Sequence, residues 1–286
     1  MEYTLHRRTI EHQGIARKYI VVEPSTLDAG RDCAPNLLIY FHGSQQSGSV
    51  SRRFTNGTFD DMAQRTGTLL VYPDGYHNHF NDARGILPAK AREEGIDDVA
   101  FTQLLVNTLR KDYGVGNVYA CGYSNGGQMT LRLLFDAPGL LSGAAVFCST
   151  LGAGDNHAPT NPDSMYEPTP VMMIAGTDDP ITPFGGGAIG AGTRHYRGEV
   201  LSAPATAARL AELNGASASD VSRPYPDVSI TRYGGTNPVE LWAVEGMGHL
   251  VPCGKTLDPR LGTPTESFLA ADAVAAFFGF EAPATR

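Results

Sequence analysis

Ser124 stands at the centre of Gly122-Tyr123-Ser124-Asn125-Gly126, between an apolar run and a helix-forming run. Asn117 to Cys121 reads as a buried strand and Gly127 to Leu134 as a helix, which puts the serine at the apex of a sharp strand-to-helix turn. The glycines two before and two after it present no Cβ, so they permit a strained turn and close helix–strand packing. The hydroxyl then stands at the positive end of a helix, where developing negative charge is favoured. A serine so placed is a candidate nucleophile for acyl transfer, but it stays weak until a base removes its proton.

A histidine must supply that base, and a carboxylate must hold the imidazole in the right tautomer. The chain has eight histidines. His249 lies in Glu245-Gly246-Met247-Gly248-His249-Leu250-Val251-Pro252, a glycine-bracketed loop after the last predicted strand. Its place in the order Ser…Asp…His suits a hydroxyl activated at a strand-to-helix turn. His6, His12, His77, His79, His157 and His195 have no such setting and read as solvated loop positions. His77-Asn78-His79 lacks neighbouring cysteines or carboxylates, so its spacing is a weak metal signal. For the acid, Asp178 and Asp179 both follow the predicted strand that ends at Ala175. Pro180 holds Asp179 extended, and Asp179 is preferred, with Asp178 as rival. An oxyanion site needs two backbone N–H groups. Asn125 would give one. The loop His42-Gly43-Ser44-Gln45-Gln46 would give the other, from Ser44 first and Gln45 next.

These residues need a frame. Apolar runs at 36–41, 68–72, 117–121, 143–148, 170–175 and 239–244 read as buried strands, and 14–22 as an early strand. Helical spacing appears at 59–65, 97–112, 127–134, 202–214 and 266–278. Continuous apolar strands alternating with amphipathic helices imply an α/β fold with a mostly parallel central sheet and helices on both faces. In such sheets ligands bind beyond the carboxyl ends of the strands, and every residue singled out above follows a strand. The whole of 1–286 reads as one domain, with long Gly/Pro-rich loops at 149–168 and 182–200 that would shape a substrate site. Tyr123, Phe184, Tyr196 and Leu250 are the candidates to line an apolar pocket there. Arg194 and Arg197 could meet a carboxylate, though solvation is the ordinary state of loop arginines. Asp82 and Asp98 read as loop braces, and Trp242 as core packing.

Composition sets the outer bounds. The 286 residues are 42% hydrophobic and 18% charged, which suffices for a full core. The formal net charge of −8, with no Lys/Arg cluster, argues against a nucleic-acid surface. No stretch has the length of a membrane-spanning helix and the start shows no apolar leader, so a cytoplasmic location is expected for this chain, or a secreted one if a leader was removed. Of the four cysteines, Cys121 and Cys148 end apolar runs and read as buried thiols, while Cys33 and Cys253 stay open to disulfide pairing.

Taken together, His42-Gly43, Tyr72-Pro73-Asp74-Gly75, Asn81-Asp82, Asp97-Asp98-Val99-Ala100-Phe101, Gly122 to Gly127, Gly176-Thr177-Asp178-Asp179-Pro180 and Gly248-His249 resemble the α/β-hydrolase superfamily. They are similar in particular to its polyhydroxybutyrate-depolymerase-like and feruloyl-esterase-like esterases. The resemblance implies the α/β-hydrolase fold and Ser124, Asp179 and His249 as a catalytic triad. It implies cleavage of small carboxylic esters or short oligoesters through an acyl-enzyme, with no metal or organic cofactor. The family's Gly-Thr-x-Asp pattern favours Asp179 over Asp178. Where such relatives often carry a cysteine and a tryptophan, this chain has Ser44 and Phe80-Asn81. A peptidase or an acyltransferase would use the same triad, and a non-catalytic binding protein of this fold is the alternative from another class.

Overall fold

The computed structural model describes residues 2–27, 34–190, 195–216 and 219–280. Strands are β1 (Tyr3–His12), β2 (Ile15–Pro24), β3 (Leu37–Phe41), β4 (Leu69–Pro73), β5 (Val118–Tyr123), β6 (Gly143–Phe147), β7 (Val171–Gly176), β8 (Gly187–Ala188), β9 (Glu199–Val200), β10 (Ser219–Tyr225), β11 (Val228–Tyr233) and β12 (Val239–Val244). Helices are α1 (Gly48–Phe54), α2 (Thr58–Thr66), α3 (Lys90–Glu93), α4 (Asp98–Tyr113), α5 (Asn125–Asp136), α6 (Ala203–Leu213) and α7 (Ala270–Phe278).

One sheet runs in the order β1-β2-β4-β3-β5-β6-β7-β12-β11-β10. Its six middle strands, β4 to β12, are parallel. Antiparallel strands flank them on each side. The parallel strands β3, β4, β6 and β7 are buried at every residue, as both-face coverage requires. Successive side chains point to opposite faces. Leu37, Ile39 and Phe41 of β3 join a core with Phe101, Leu105 and Leu109 of α4, Met129 of α5 and Leu210 of α6. Leu38 and Tyr40 join a second core with Phe59 and Met62 of α2 and Val274 of α7.

Local chemistry sets the helix ends. The Asp97 side chain accepts from Ala100 N–H at 2.9 Å to start α4, and left-handed Gly114 ends it. Ser202 caps α6 in the same way, accepting from Ala205 N–H. Asp98 is a brace, as expected. It takes Arg17 Nη2 at 2.6 Å and Asn81 N–H at 2.7 Å, all of it buried.

The structure adds elements that periodicity did not predict. β1 alternates between half-buried and exposed residues, and β10 is exposed throughout. Neither has the continuous apolar run that marks the inner strands. Pro224 falls where the β10–β11 register shifts, an edge position that tolerates a missing N–H. His6 and His12 lie in β1 rather than in loops. Trp242, on β12 between β7 and β11, is half-buried and packs against the second core, with its ring tilted on Phe268 at 5.1 Å and its indole N–H donating to Glu240 Oε2 at 3.0 Å. Cys121, Cys148 and Cys253 are buried free thiols, and Cys33 lies outside the described residues. Among the described residues no helix is long and apolar enough to cross a membrane.

Candidate active site

The turn from β5 to α5 is as tight as its glycines suggest. A Cβ on Gly122 would lie 2.2 Å from Gly126 O, and one on Gly126 would lie 2.0 Å from Phe41 O. Ser124 itself has φ 54° and ψ −116°, a backbone state that costs a non-glycine residue about 1–3 kcal/mol. Neighbours enforce it. Ser124 N–H donates to Phe147 O at 3.0 Å, and Ser149 Oγ donates to Ser124 O at 2.7 Å. Ser124 sits at the N-cap of α5, yet its side chain makes no capping bond. The hydroxyl therefore keeps its lone pairs for another task.

Two loops bring His249 and Asp179 together. His249 Nδ1 lies 2.7 Å from Asp179 Oδ2, with the residues 2% and 7% exposed. Asp179 Oδ1 accepts from Ile181 N–H at 2.8 Å and Thr182 N–H at 2.7 Å. A carboxylate anchored on one oxygen presents the other to the imidazole and holds the proton on Nδ1, which leaves Nε2 as the acceptor. Asp178 is exposed and receives Thr177 Oγ1 instead. The histidine loop is clamped from below: His249 N–H donates to Leu261 O at 2.6 Å and Gly248 N–H to Thr263 O at 2.9 Å. Gly248 has no room for a Cβ, which would meet Leu261 O at 2.0 Å. Tyr123 braces it from the side, its hydroxyl donating to His249 O at 2.8 Å.

Cys148 joins this pair unannounced by the sequence. Its sulfur, a carboxylate oxygen of Asp179 and a ring nitrogen of His249 lie within 4.8 Å of one another, all on buried residues. Burial raises the thiol pKa well above its ordinary value, and the Asp179 charge raises it further. The sulfur stays protonated and donates to Leu250 O at 3.2 Å. A thiol held in that form is a poor metal ligand. Its position at the end of β6 was the only available signal, and that signal indicated burial alone.

Two backbone amides near the serine are unspent. Among the described residues, neither Ser44 N–H nor Asn125 N–H makes a hydrogen bond. Gln45 N–H, the second choice on sequence, is taken by Asn78 O at 2.9 Å. The Asn125 side chain has a separate job that sequence reasoning missed. It accepts from Phe80 N–H at 2.8 Å and donates to Phe80 O at 3.0 Å and Asp82 Oδ2 at 2.7 Å. Asp82 also holds Arg84, so its brace ties the loop after β4 to the serine turn. His42 performs a similar service. Its Nδ1–H donates to Gly43 O at 2.8 Å and its Nε2 accepts from Gly75 N–H at 2.9 Å.

Ser124 and His249 open into one cavity of about 370 Å³, a size typical of small-molecule sites. Ser44, Gln45 and Gln46 line it on one side, with Tyr123 beneath. Its apolar wall comes from Phe54, Ile181, Ile189 and Leu261. Of the four pocket residues expected from sequence, Tyr123 is there. Leu250 is buried in the second core, Phe184 packs on the first, and Tyr196 is 37% exposed; none of the three is in the cavity lining. Phe184 and Leu250 were drawn inward because both cores still had apolar surface to cover. His195 lines the cavity rather than standing in a remote loop, and so does Arg197. Arg194 lies outside the described residues.

No family model matches the chain. A curated protein named "Putative esterase NocK", from Nocardia uniformis subsp. tsuyamanensis, is 30% identical over 152 residues. That stretch is 52% of this chain and 42% of the relative, so the chain spans under half the length of the protein it matches. An acetyl xylan esterase from Aspergillus awamori superposes with a TM-score of 0.68 at 16% identity, over 97% of this chain and 99% of its own. A ferulic acid esterase from Anaeromyces mucronatus superposes with a TM-score of 0.51 at 15% identity, over 87% and 85%. With the strand order above, these likenesses identify the α/β-hydrolase fold.

Proposed function

We propose that this protein is a serine esterase that hydrolyses small carboxylic esters through an acyl-enzyme. One observation carries the reading. His249, held by Asp179 behind it, and Ser124, at a strained turn with a free hydroxyl, face the same cavity.

The residues divide the work as follows from their chemistry. Ser124 Oγ attacks the acyl carbon while His249 Nε2 takes its proton. The carbonyl oxygen becomes an oxyanion, and the free N–H groups of Ser44 and Asn125 donate to it. One such donor is typically worth about 3 kcal/mol of barrier. The intermediate collapses, and the leaving alkoxide receives the proton from His249. Water then attacks the acyl carbon, giving its proton to His249, and the acid departs as Ser124 recovers its hydrogen. Asp179 stabilises the imidazolium in both halves. None of these steps calls for a metal or an organic cofactor. The esterase names of the relatives support the reaction class, and the apolar wall suits short aliphatic or aromatic acyl groups.

Ser124→Ala tests the reading. Hydrolysis of p-nitrophenyl butyrate should fall by roughly 10⁴-fold or more, with the circular dichroism spectrum and Tm unchanged or raised. A fluorophosphonate probe should label the wild type and not the variant. Undiminished turnover in the variant overturns the assignment.

A further inference from the structure

Among the described residues the cavity has a charge without a counter-charge. Of those that line it only Arg197 bears a fixed charge, in a protein whose net charge is −8. Its guanidinium makes no hydrogen bond and no ion pair among the described residues. The carboxylate whose field reaches it, Asp82, is already spent on Arg84 and on Asn125 Nδ2. Arg84 contributes repulsion instead. Partial burial lowers the Arg197 pKa, with Arg84 adding to the effect. The cation is thus less comfortable than a solvated arginine.

Arg197 is also held in place, which a solvated loop arginine is not. Arg197 N–H donates to Ile189 O at 2.9 Å, and Gly198 O accepts from Ile189 N–H at 3.0 Å. These bonds extend the short β8–β9 ladder toward the cavity. Buried Asn156 fastens the ladder from behind, donating to Arg197 O at 3.0 Å and Glu199 O at 2.8 Å. Gly198 packs so closely on that asparagine that a Cβ would lie 2.4 Å from its Cγ. A guanidinium carried by a fixed rung, facing the same space as the nucleophile and lacking a partner, is a binding group.

We infer that Arg197 is a specificity residue for esters carrying a carboxylate, which it receives across the apolar wall while Ser124 engages the ester carbonyl. The inference rests on the esterase reading and narrows it. A single planar fork matches a carboxylate in bidentate fashion. Among the described residues no second fixed cation lines the cavity, so a dianionic phosphate would leave one charge uncompensated by them. The carboxylate can sit on the acyl side, as in a dicarboxylic half-ester, or on the leaving group, as in an acylated hydroxy acid.

Two pairs matched in carbon skeleton separate these sources. Monomethyl adipate against methyl hexanoate reports the acyl side. 3-Butyryloxybutanoate against sec-butyl butyrate reports the leaving side. Hydrolysis is followed by pH-stat at pH 7.5 in wild type, Arg197→Gln and Arg197→Lys. The wild type should favour the anionic member of one pair by about tenfold or more in kcat/KM, a step typical of one charge-assisted contact. In Arg197→Gln that ratio should collapse toward one, chiefly through KM, and Arg197→Lys should keep part of it. Added salt at 0.5 M should weaken the wild-type preference (a molarity of about that order shortens electrostatic reach to a few ångström). The ratio is taken within one preparation, so a partly unfolded variant does not blur it. Turnover of the neutral esters with no anionic preference in either pair overturns this inference and leaves the esterase intact. Equal loss on both members in Arg197→Gln overturns it as well. No turnover of any of the four by wild type sinks the esterase reading and this inference with it.

Discussion

Asp178 and Asp179 are neighbours in sequence with opposite fates. The first is exposed beside Thr177, and the second is locked by two amides against His249. Losing the carboxylate that orients the base lets the imidazole adopt the wrong tautomer, at a cost near 10⁴ in kcat. Asp179→Asn should therefore lower kcat by roughly 10³–10⁴-fold with little change in KM. Asp178→Asn should stay within about twofold, as surface substitutions generally do. Steady-state kinetics of the two variants side by side decide it, and equal losses would remove the acid's role from Asp179. At this scale the sequence pointed to Ser124, Asp179 and His249, which the structure gathers at or beside one cavity, because their neighbours were glycines and strand ends. It missed Cys148, and it misplaced Phe184, Tyr196 and Leu250 in the pocket. Apolar type alone does not say whether a loop side chain turns toward the cavity or toward the core. Ile189 and Leu261 line the cavity from segments with no motif at all.

The strand-to-helix turn shows how an element sets function against stability. Ser124 holds φ 54° and ψ −116°, a region that glycine enters freely. Ser124→Gly relieves that strain, and part of the gain is offset by the greater freedom of glycine in the unfolded chain. A net gain of about 1 kcal/mol is expected, or roughly 2 °C in Tm for a chain of this size, together with complete loss of hydrolysis. Calorimetry of Ser124→Gly beside Ser124→Ala measures it; a lower Tm for the glycine variant would show that the turn carries no strain to release. The inner strands and long helices were legible because burial on both faces demands unbroken apolar runs, and α4 and α6 carry their caps in sequence. β1 and β10 were not, because edge strands satisfy the sheet with backbone bonds while their side chains stay polar, and β11, paired on both sides, was not because its side chains are mostly half-buried and include polar ones. The β8–β9 ladder is two residues long and leaves no periodic trace.

The whole molecule carries an acid sensitivity built into the frame under the site. His42, at the end of β3, is fully buried and joins Gly43 to Gly75 through both ring nitrogens. That arrangement needs a neutral ring, since Nε2 accepts a hydrogen bond from the Gly75 N–H. Burial lowers its pKa from 6.5 to about 4; the Gly43 bond opposes the shift, while His79 and Arg17 add to it. In the unfolded chain the same ring titrates near 6.5. Between those values the unfolded state binds the proton and the folded state refuses it, so stability rises with pH across the window. Its contribution is present in full above pH 6.5, falls as the pH drops, and is spent by about pH 4. A shift of this size corresponds to about 3 kcal/mol. Burial lowers the His79 and His157 pKa values too, which steepens the same slope. Comparing one protein with its variant cancels those shared groups. His42→Asn should be less stable than wild type at pH 7, because an amide reproduces the two bonds imperfectly. It should also lose less on going to pH 4.5, so that the two urea-unfolding free energies converge. Parallel curves from pH 7 to 4.5 would mean that His42 takes up its proton in the folded state as readily as in the unfolded one, and that the acid-labile group lies elsewhere in the frame.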